Sequence, residues 1–268
     1  MYIKLLFLMS VIGVQSFAQE AISLGARADA MAQATVSEGD VWSYYCNPGS
    51  LAILKKGVIA SSYSNRFLLK ELQSQSFVFV QPIKVGVFSF GASFNGFEVY
   101  RNLKIGMGYS LRLTEKMYAG IQLNYHRMIL SNFYGSHAML TSEAGVYGSV
   151  TEKWTYGASV YNLGRARFSS VDRKPTVVKI GSQFELSKTV LFLLEAEKSV
   201  YYSLRLKAAV EYEVLKDFFF RTGVASKPLM LTYGFGYKFK RIQIDLANAY
   251  QQIGAWSPTF SFNYHFKK

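Results

Sequence analysis

The sequence predicts an all-β fold: a 14-stranded antiparallel transmembrane β-barrel with an N-terminal periplasmic hatch or plug. Three observations predict it. From residue 57 onward, large apolar residues alternate with small or polar ones, which is the period of a strand whose successive side chains point to opposite faces. The large face is aromatic and aliphatic, while the other is glycine, hydroxyl, amide or charge, the reverse of what a water-filled exterior would select. The connections between these segments alternate in length, as they do when short periplasmic turns and longer outer loops take turns along an outer-membrane barrel.

The pattern is plainest at the end of the chain. Leu229, Leu231, Tyr233, Phe235, Tyr237 and Phe239 alternate with Met230, Thr232, Gly234, Gly236 and Lys238. Ile242, Ile244 and Leu246 alternate with Gln243, Asp245 and Ala247, and Phe260, Phe262, Tyr264 and Phe266 with Thr259, Ser261, Asn263 and His265. Fourteen such segments fall at 57–64, 72–82, 84–95, 103–113, 116–130, 137–151, 153–163, 175–187, 189–199, 201–215, 217–226, 229–239, 241–251 and 257–266. Most approach the ~9–11 residues that a tilted strand needs to cross a bilayer. The joints after the even-numbered segments should be one or two residues long. The others should be longer, as at 65–71, 96–102 and 164–174. An even strand count puts both termini on one side, the periplasm. A soluble sandwich would bury its large faces between sheets and has no reason to sort its turns.

Composition agrees. The chain has 268 residues, half of them apolar, with 16% aromatics (19 Tyr, 21 Phe) and only 5 Pro. High aromatic content suits interfacial girdles, and few prolines suit a chain that is mostly hydrogen-bonded ladder. No apolar run of about 18 residues occurs outside the N-terminus, so helical spans are not expected. Residues 1–18 read as a signal peptide, with Lys4 as the basic region, Leu5 to Val14 as the apolar core and Ser16-Phe17-Ala18 as the cleavage site. The net charge of +13 could suit nucleic acid, but an exported chain seldom meets it. Outer-membrane lipid head groups are the expected partner, and no nucleic acid is. Cys46 is the sole cysteine, so an internal disulfide is excluded.

Residues 19–56 do not alternate. Arg27 to Thr35 could form a short helix with Leu24, Ala28, Met31 and Thr35 on one side; Glu38-Gly39-Asp40 reads as a turn, and Asn47-Pro48-Gly49 as a tight turn. The stretch is too apolar for a disordered tail and too irregular for a strand pair, so a plug in the barrel mouth fits it best. The expected domains are therefore 1–18 signal peptide, 19–56 hatch and 57–268 barrel.

Within this region Gly25-Ala26-Arg27-Ala28-Asp29-Ala30-Met31-Ala32, then Asp40, then Tyr44-Tyr45-Cys46-Asn47-Pro48-Gly49-Ser50-Leu51-Ala52 resembles the N-terminal signature of the FadL-like outer-membrane barrels, in the branch that holds the type IX secretion proteins PorV and PorQ. Ala32, Cys46 and Gly49 depart from that signature, where Gly, Trp and Ala are usual. The resemblance implies a 14-stranded barrel with an N-terminal hatch in the bacterial outer membrane. It also implies a role in protein export or surface attachment, with other outer-membrane or periplasmic proteins of a complex as partners. The row Phe260, Phe262, Tyr264, Phe266 resembles the C-terminal signal for barrel insertion, with Lys267-Lys268 trailing it as a departure.

The candidate functional residues follow from the alternation. Hatch residues are Arg27, Asp40, Asn47, Pro48 and Gly49, with Arg27 and Asp40 expected to pair with lumen charges. The lumen charges are Lys104, Arg112, Glu143, Lys179, Glu195, Arg205, Lys207, Glu211, Arg221 and Asp245. Both signs occur, so a cross-lumen ionic network is expected, because buried charges need partners. Glycines also sort to the inner face, which predicts close approach of another backbone there. No enzyme is expected: His126, His137 and His265 lie in separate strands without ligand spacing, and Glu195/Glu197 and Glu211/Glu213 are i,i+2 pairs that merely share a face. No cofactor or metal is implied. Two roles remain: a non-catalytic subunit of a protein export machine, favoured by the short outer loops, or a FadL-like channel for hydrophobic or other small molecules, gated by the hatch. An apolar tunnel beside the hatch would favour the channel, and a lumen filled with salt bridges the scaffold.

Overall fold

The computed structural model describes residues 24–130, 135–167, 174–251 and 255–267; the predicted signal peptide lies outside them. Fourteen strands run in chain order: β1 (Val58–Asn65), β2 (Gln73–Pro82), β3 (Val87–Gly96), β4 (Tyr100–Arg112), β5 (Met117–Leu130), β6 (Ser136–Thr151), β7 (Trp154–Tyr161), β8 (Val177–Ser187), β9 (Val190–Ser199), β10 (Arg205–Leu215), β11 (Phe218–Ala225), β12 (Met230–Phe239), β13 (Ile242–Gln251) and β14 (Ala255–His265). Each pairs antiparallel with its neighbours in sequence, and β1 pairs with β14 to close the barrel. Val58 faces His265 at one end of that seam and Ser64 faces Thr259 at the other. No helix among the described residues is long and apolar enough to cross a membrane, although a barrel crosses with strands.

Burial follows the alternation. In β12 the pattern is strict: Met230, Thr232, Gly234 and Gly236 are buried, while Leu231, Tyr233, Phe235 and Tyr237 are exposed. Ile121, Leu123, Leu140, Ile180, Leu206 and Leu246 are likewise more than half exposed on the outer wall. The interior takes the polar side chains, among them Gln122, Asn124 and His126 of β5, each 1% exposed or less.

Several boundaries differ from the sequence reading. The turns after β2 and β4 span 83–86 and 113–116 rather than one or two residues. In the first, the Ile83 amide bonds to the Gly86 carbonyl and closes the turn. The expected long loop at 96–102 shrinks to 97–99, because Gly96 pairs with Arg101 and carries the ladder to the top of the hairpin. β7 stops at Tyr161 instead of 163, because Asn162 turns to positive φ (55°). β6 therefore outruns it, pairing with β7 only from Glu143 onward. The connection 162–176 is the longest in the barrel.

Among the described residues ahead of the barrel lie one short α-helix, α1 (Ala26–Ala30), and two 3-10 helices, Val41–Tyr45 and Pro48–Ile53. The helix expected over Arg27 to Thr35 ends at Ala30, because Ala32 and Gln33 adopt positive φ and reverse the chain. Glu38-Gly39-Asp40 is not a closed turn; the turn lies just before it, where the Glu38 amide bonds to the Thr35 carbonyl.

Candidate functional site: the occupied lumen

Residues 24–54 sit inside the ring of strands, and their contacts run round its whole inner wall. Four hydrogen bonds mark the circuit. The Tyr45 hydroxyl donates to the Ala92 carbonyl of β3 (2.8 Å), Asn47 to the Val146 carbonyl of β6 (3.0 Å), the Val36 amide to Glu195 of β9 (2.8 Å) and the Trp42 indole to Asn263 of β14 (3.0 Å). Trp42 and Tyr44 are among the largest fully buried side chains, packed with Leu24, Val41 and Leu51 against Val58, Val78, Val80 and Val87. Side chains as large as these need bare wall. At Gly91 a β-carbon would collide with the Tyr44 ring, and Gly25 (φ 85°) combines a left-handed backbone with the face of Trp42. The wall glycines Gly120, Gly145, Gly157 and Gly223 similarly lie against Pro48, Asn47, Val36 and Met31. Gly108 and Gly236 do not: they make room for Ser89 and for the Arg221–Asp245 pair of the barrel itself.

Asn47, Pro48 and Gly49 form a neutral anchor against β4 to β6. The Asn47 amide nitrogen donates to the carbonyls of Val36 (2.7 Å) and Val146, and its oxygen accepts from the Gly49 amide (3.0 Å). The Pro48 carbonyl accepts from Ser110 (2.6 Å). Gly49 lies so close to the Gly145 backbone that a β-carbon does not fit. Asn47 thus caps the second 3-10 helix and fastens it to the wall with the same side chain.

Arg27 and Asp40 form an ionic anchor against β10 to β13. Arg27 bonds Glu211 twice, through Nε (2.9 Å) and Nη2 (3.0 Å), a bidentate pairing. It also reaches Asp40 (3.1 Å) and Glu38. Glu211 in turn takes Arg221, which bonds Asp245 (2.8 Å). Arg221 is 1% exposed and Asp245 fully buried. Asp40 also caps the first 3-10 helix, accepting from the amides of Trp42 (2.8 Å) and Ser43 (3.1 Å). Four carboxylates therefore share two guanidiniums in this cluster. Burial opposes charge on Arg27, but Glu211, Glu38 and Asp40 outweigh it and hold the guanidinium ionised. Burial pushes the Glu38 carboxyl up, Asp40 and Glu211 add to the push, and Arg27 opposes it. Burial likewise raises Asp29 to about 6, against hydrogen bonds from Gln33 and Thr259.

The other lumen charges divide into two groups. Lys207 bonds Glu195 and Glu197 (both 2.7 Å) and the Gln33 carbonyl (3.2 Å), with Lys179 at 3.8 Å from Glu197. Lys104 bonds Glu143 (2.8 Å) and lies over the rings of Tyr45 and Tyr161. Arg205 is buried, with Nη2 at 3.8 Å from the Met230 sulfur. Arg112 is a correction: it is exposed at the end of β4, where its guanidinium donates to the carbonyls of Thr114 and Glu115 in its own turn. It has the inward parity but is the last residue of the strand, so its side chain leaves the interior. Phe260 is exposed on the outer wall, with Phe262, Tyr264 and Phe266 partly covered.

Sequence reasoning passed over several anchors. Thr232 donates to the Ala30 carbonyl (2.7 Å) and accepts from the Ala32 amide (3.0 Å). Ser261 accepts from the Ala26 amide (3.2 Å), and Glu38 joins Arg27. The available signal was the run of small hydroxyl residues at inward positions, each able to satisfy a backbone group of an irregular segment. The histidines do not meet one another. His126 Nε2 lies near Thr141 (3.0 Å) and the Tyr161 hydroxyl (3.3 Å). No group of three or more His, Cys, Asp or Glu suited to a metal occurs among the described residues.

No protein-family model matches the chain, and no curated protein matches its sequence. Solved structures do match its fold. The CymD monoaromatic hydrocarbon channel aligns with a TM-score of 0.74 at 12% identity, over 91% of this chain and 98% of that one. The Ralstonia pickettii toluene transporter TbuX aligns at 0.70 and 12%, over the same shares. A Pseudomonas aeruginosa FadL homologue aligns at 0.66 and 10%, again over 91% and 98%. At these identities the likeness is one of architecture, and the chain shares the closed 14-stranded barrel of FadL-like channels.

Proposed function

We propose that this chain is a non-catalytic barrel of the bacterial outer membrane that admits small hydrophobic molecules, with residues 24–56 as its hatch. The observation that carries this reading is the pairing of an apolar outer wall with an interior segment held by specific, breakable contacts, in a barrel built like known hydrocarbon channels. The short turns and both chain ends are assigned to the periplasmic side. Because the lumen is occupied and ionic, a solute needs the hatch to shift; a straight apolar tunnel is not the route. The test is uptake of a labelled monoaromatic hydrocarbon and of a disaccharide into cells or liposomes carrying the barrel. Faster hydrocarbon uptake, abolished when Ala26 is cross-linked through cysteine to position 261, supports the reading. Rates equal to empty vesicles would refute it.

A second reading is a subunit of a protein export machine, in the manner of PorV and PorQ. The filled, salt-bridged interior and the modest connections favour it, since such a barrel can serve as a rigid platform. Affinity purification from solubilised membranes distinguishes the two: stoichiometric partner proteins together with absent solute uptake would favour the platform.

A further inference from the structure

The rim that carries the six short turns is not evenly charged. The barrel closes through β1 and β14, so the β12–β13 turn, the end of β14, the lead into β1 and the β2–β3 turn are neighbours along one arc. That arc holds Lys240, Arg241, Lys267, Lys55, Lys56 and Lys84, all exposed. Backbone bonds keep them adjacent: His265 to Arg241, and Phe266 to Gly57. Among the described residues no exposed carboxylate lies on this arc. Around the rest of the rim, from the β4–β5 turn to the β10–β11 turn, Arg112, Lys116, Lys153, Lys188 and Lys216 are matched by exposed Glu115 and Glu152 and half-buried Glu185, Glu213 and Asp217.

The arc also has an aromatic shelf beneath its cations. Phe266 packs edge-on against Phe79 (centroids 6.3 Å apart) and Tyr264 (5.6 Å), and Lys240 lies over Phe239 (5.1 Å). Aromatic rings of barrels gather at the level of lipid head groups, so cations just beyond them stand at phosphate depth. Strands lie about 4.8 Å apart, which spreads the cations over a width that two or three lipids can span.

We propose that this crescent is a binding site for anionic phospholipid in the leaflet on the short-turn side, with phosphates on the lysines and acyl chains along Phe79, Tyr264 and Phe266. A general lipid annulus would select no arc, because every sector meets lipid. An acidic protein would explain the cations but not the aromatic shelf directly under them. The proposal rests on the outer-membrane placement given above, and not on conduction.

The full chain is reconstituted in nanodiscs of phosphatidylcholine doped with phosphatidylglycerol or cardiolipin, and lipids retained after mild extraction are counted by native mass spectrometry. Two variants remove the same charge: K56Q/K84Q/K240Q/K267Q from the crescent and K116Q/K153Q/K188Q/K216Q from the balanced arc. The crescent variant is expected to lose retained anionic lipid by about tenfold or more, and the control to stay within about twofold. Heat-modifiable gel mobility confirms that each has folded and inserted. Equal losses in both variants, or no loss in the crescent variant, overturn the site; the second result leaves the crescent to an acidic protein. Failure of the unaltered chain to insert into any nanodisc overturns the membrane placement itself.

Discussion

The interior segment is held in two different ways at its two ends. At Asn47 to Gly49 the fastening is neutral: backbone against glycine-bared wall, with carbonyls and one amide side chain satisfying each other. At Arg27 to Asp40 it is ionic: one guanidinium gathers three carboxylates and links through Glu211 to Arg221 and Asp245. A neutral close-packed contact is nearly indifferent to pH and salt. A buried cluster with more carboxylates than guanidiniums is not, because each proton changes its balance. The difference teaches which end of the segment can be released without unfolding the wall. Release at the Arg27 end is expected when pH or salt changes, with the Asn47 end staying in place.

The largest effect that would break this contrast comes from Arg221. Arg221→Met strips Asp245 of a cation and leaves Glu211 to Arg27 alone. Breaking a buried pair costs about 3–5 kcal/mol, and urea unfolding of the folded barrel should show a loss of that order. A loss below about 1 kcal/mol would mean that the cluster is already protonated or wet. Next comes the neutral end. Gly145→Val drives a side chain into Asn47 and should cost about 1–3 kcal/mol through overpacking. Cys46, buried and the sole thiol, reports the outcome, since maleimide labelling at fixed pH should speed up.

Arg27→Ala sharpens the comparison. It removes the bidentate link to Glu211 while leaving Arg221 in place, and should free the α1 end alone. Hydrogen exchange should rise across 26–40 and stay low across 47–53; uniform acceleration would show that the segment moves as one body. The smallest effect is that of pH. Asp29 is raised to about 6 by burial, so the seated segment binds a proton that the free segment gives up near pH 4. Seating is then strongest below that range and weakens as pH rises through 6, and Glu38 shifts in the same direction. Exchange rates at 26–40, corrected for intrinsic pH dependence, should rise from pH 4.5 to 7.5. Asp29→Asn should flatten the lower part of that rise.

The barrel was legible because each strand states its own faces. Leu231, Tyr233 and Phe235 against Thr232, Gly234 and Gly236 need no partner to be read, and the seam between β1 and β14 follows from closure. The ends of elements were less legible. Arg112 has inward parity but sits where the strand gives out, and parity alone does not say where that is. The helix expected through Thr35 fails at Ala32 and Gln33, whose positive φ is imposed by tertiary contacts such as Thr232 with Ala30 and Ala32. Within the site, inward charges could be named but not paired. Arg27 and Glu211 are 184 residues apart, and a local pattern carries no information about which cation faces which carboxylate across a lumen.

That separation has a consequence for assembly. The segment is the first described part of the chain to be synthesised, yet many of its polar partners are in β9 to β14: Glu195, Glu211, Thr232, Ser261 and Asn263. Contacts so distant along the chain form late, because large loops must close before they are rewarded. What is made first is therefore housed last at its Arg27 end, whereas Trp42, Tyr44 and Leu51 find Val58, Val78, Val80 and Val87 in the first three strands. A nascent barrel of this kind has to shelter an arginine-bearing segment through most of its own construction.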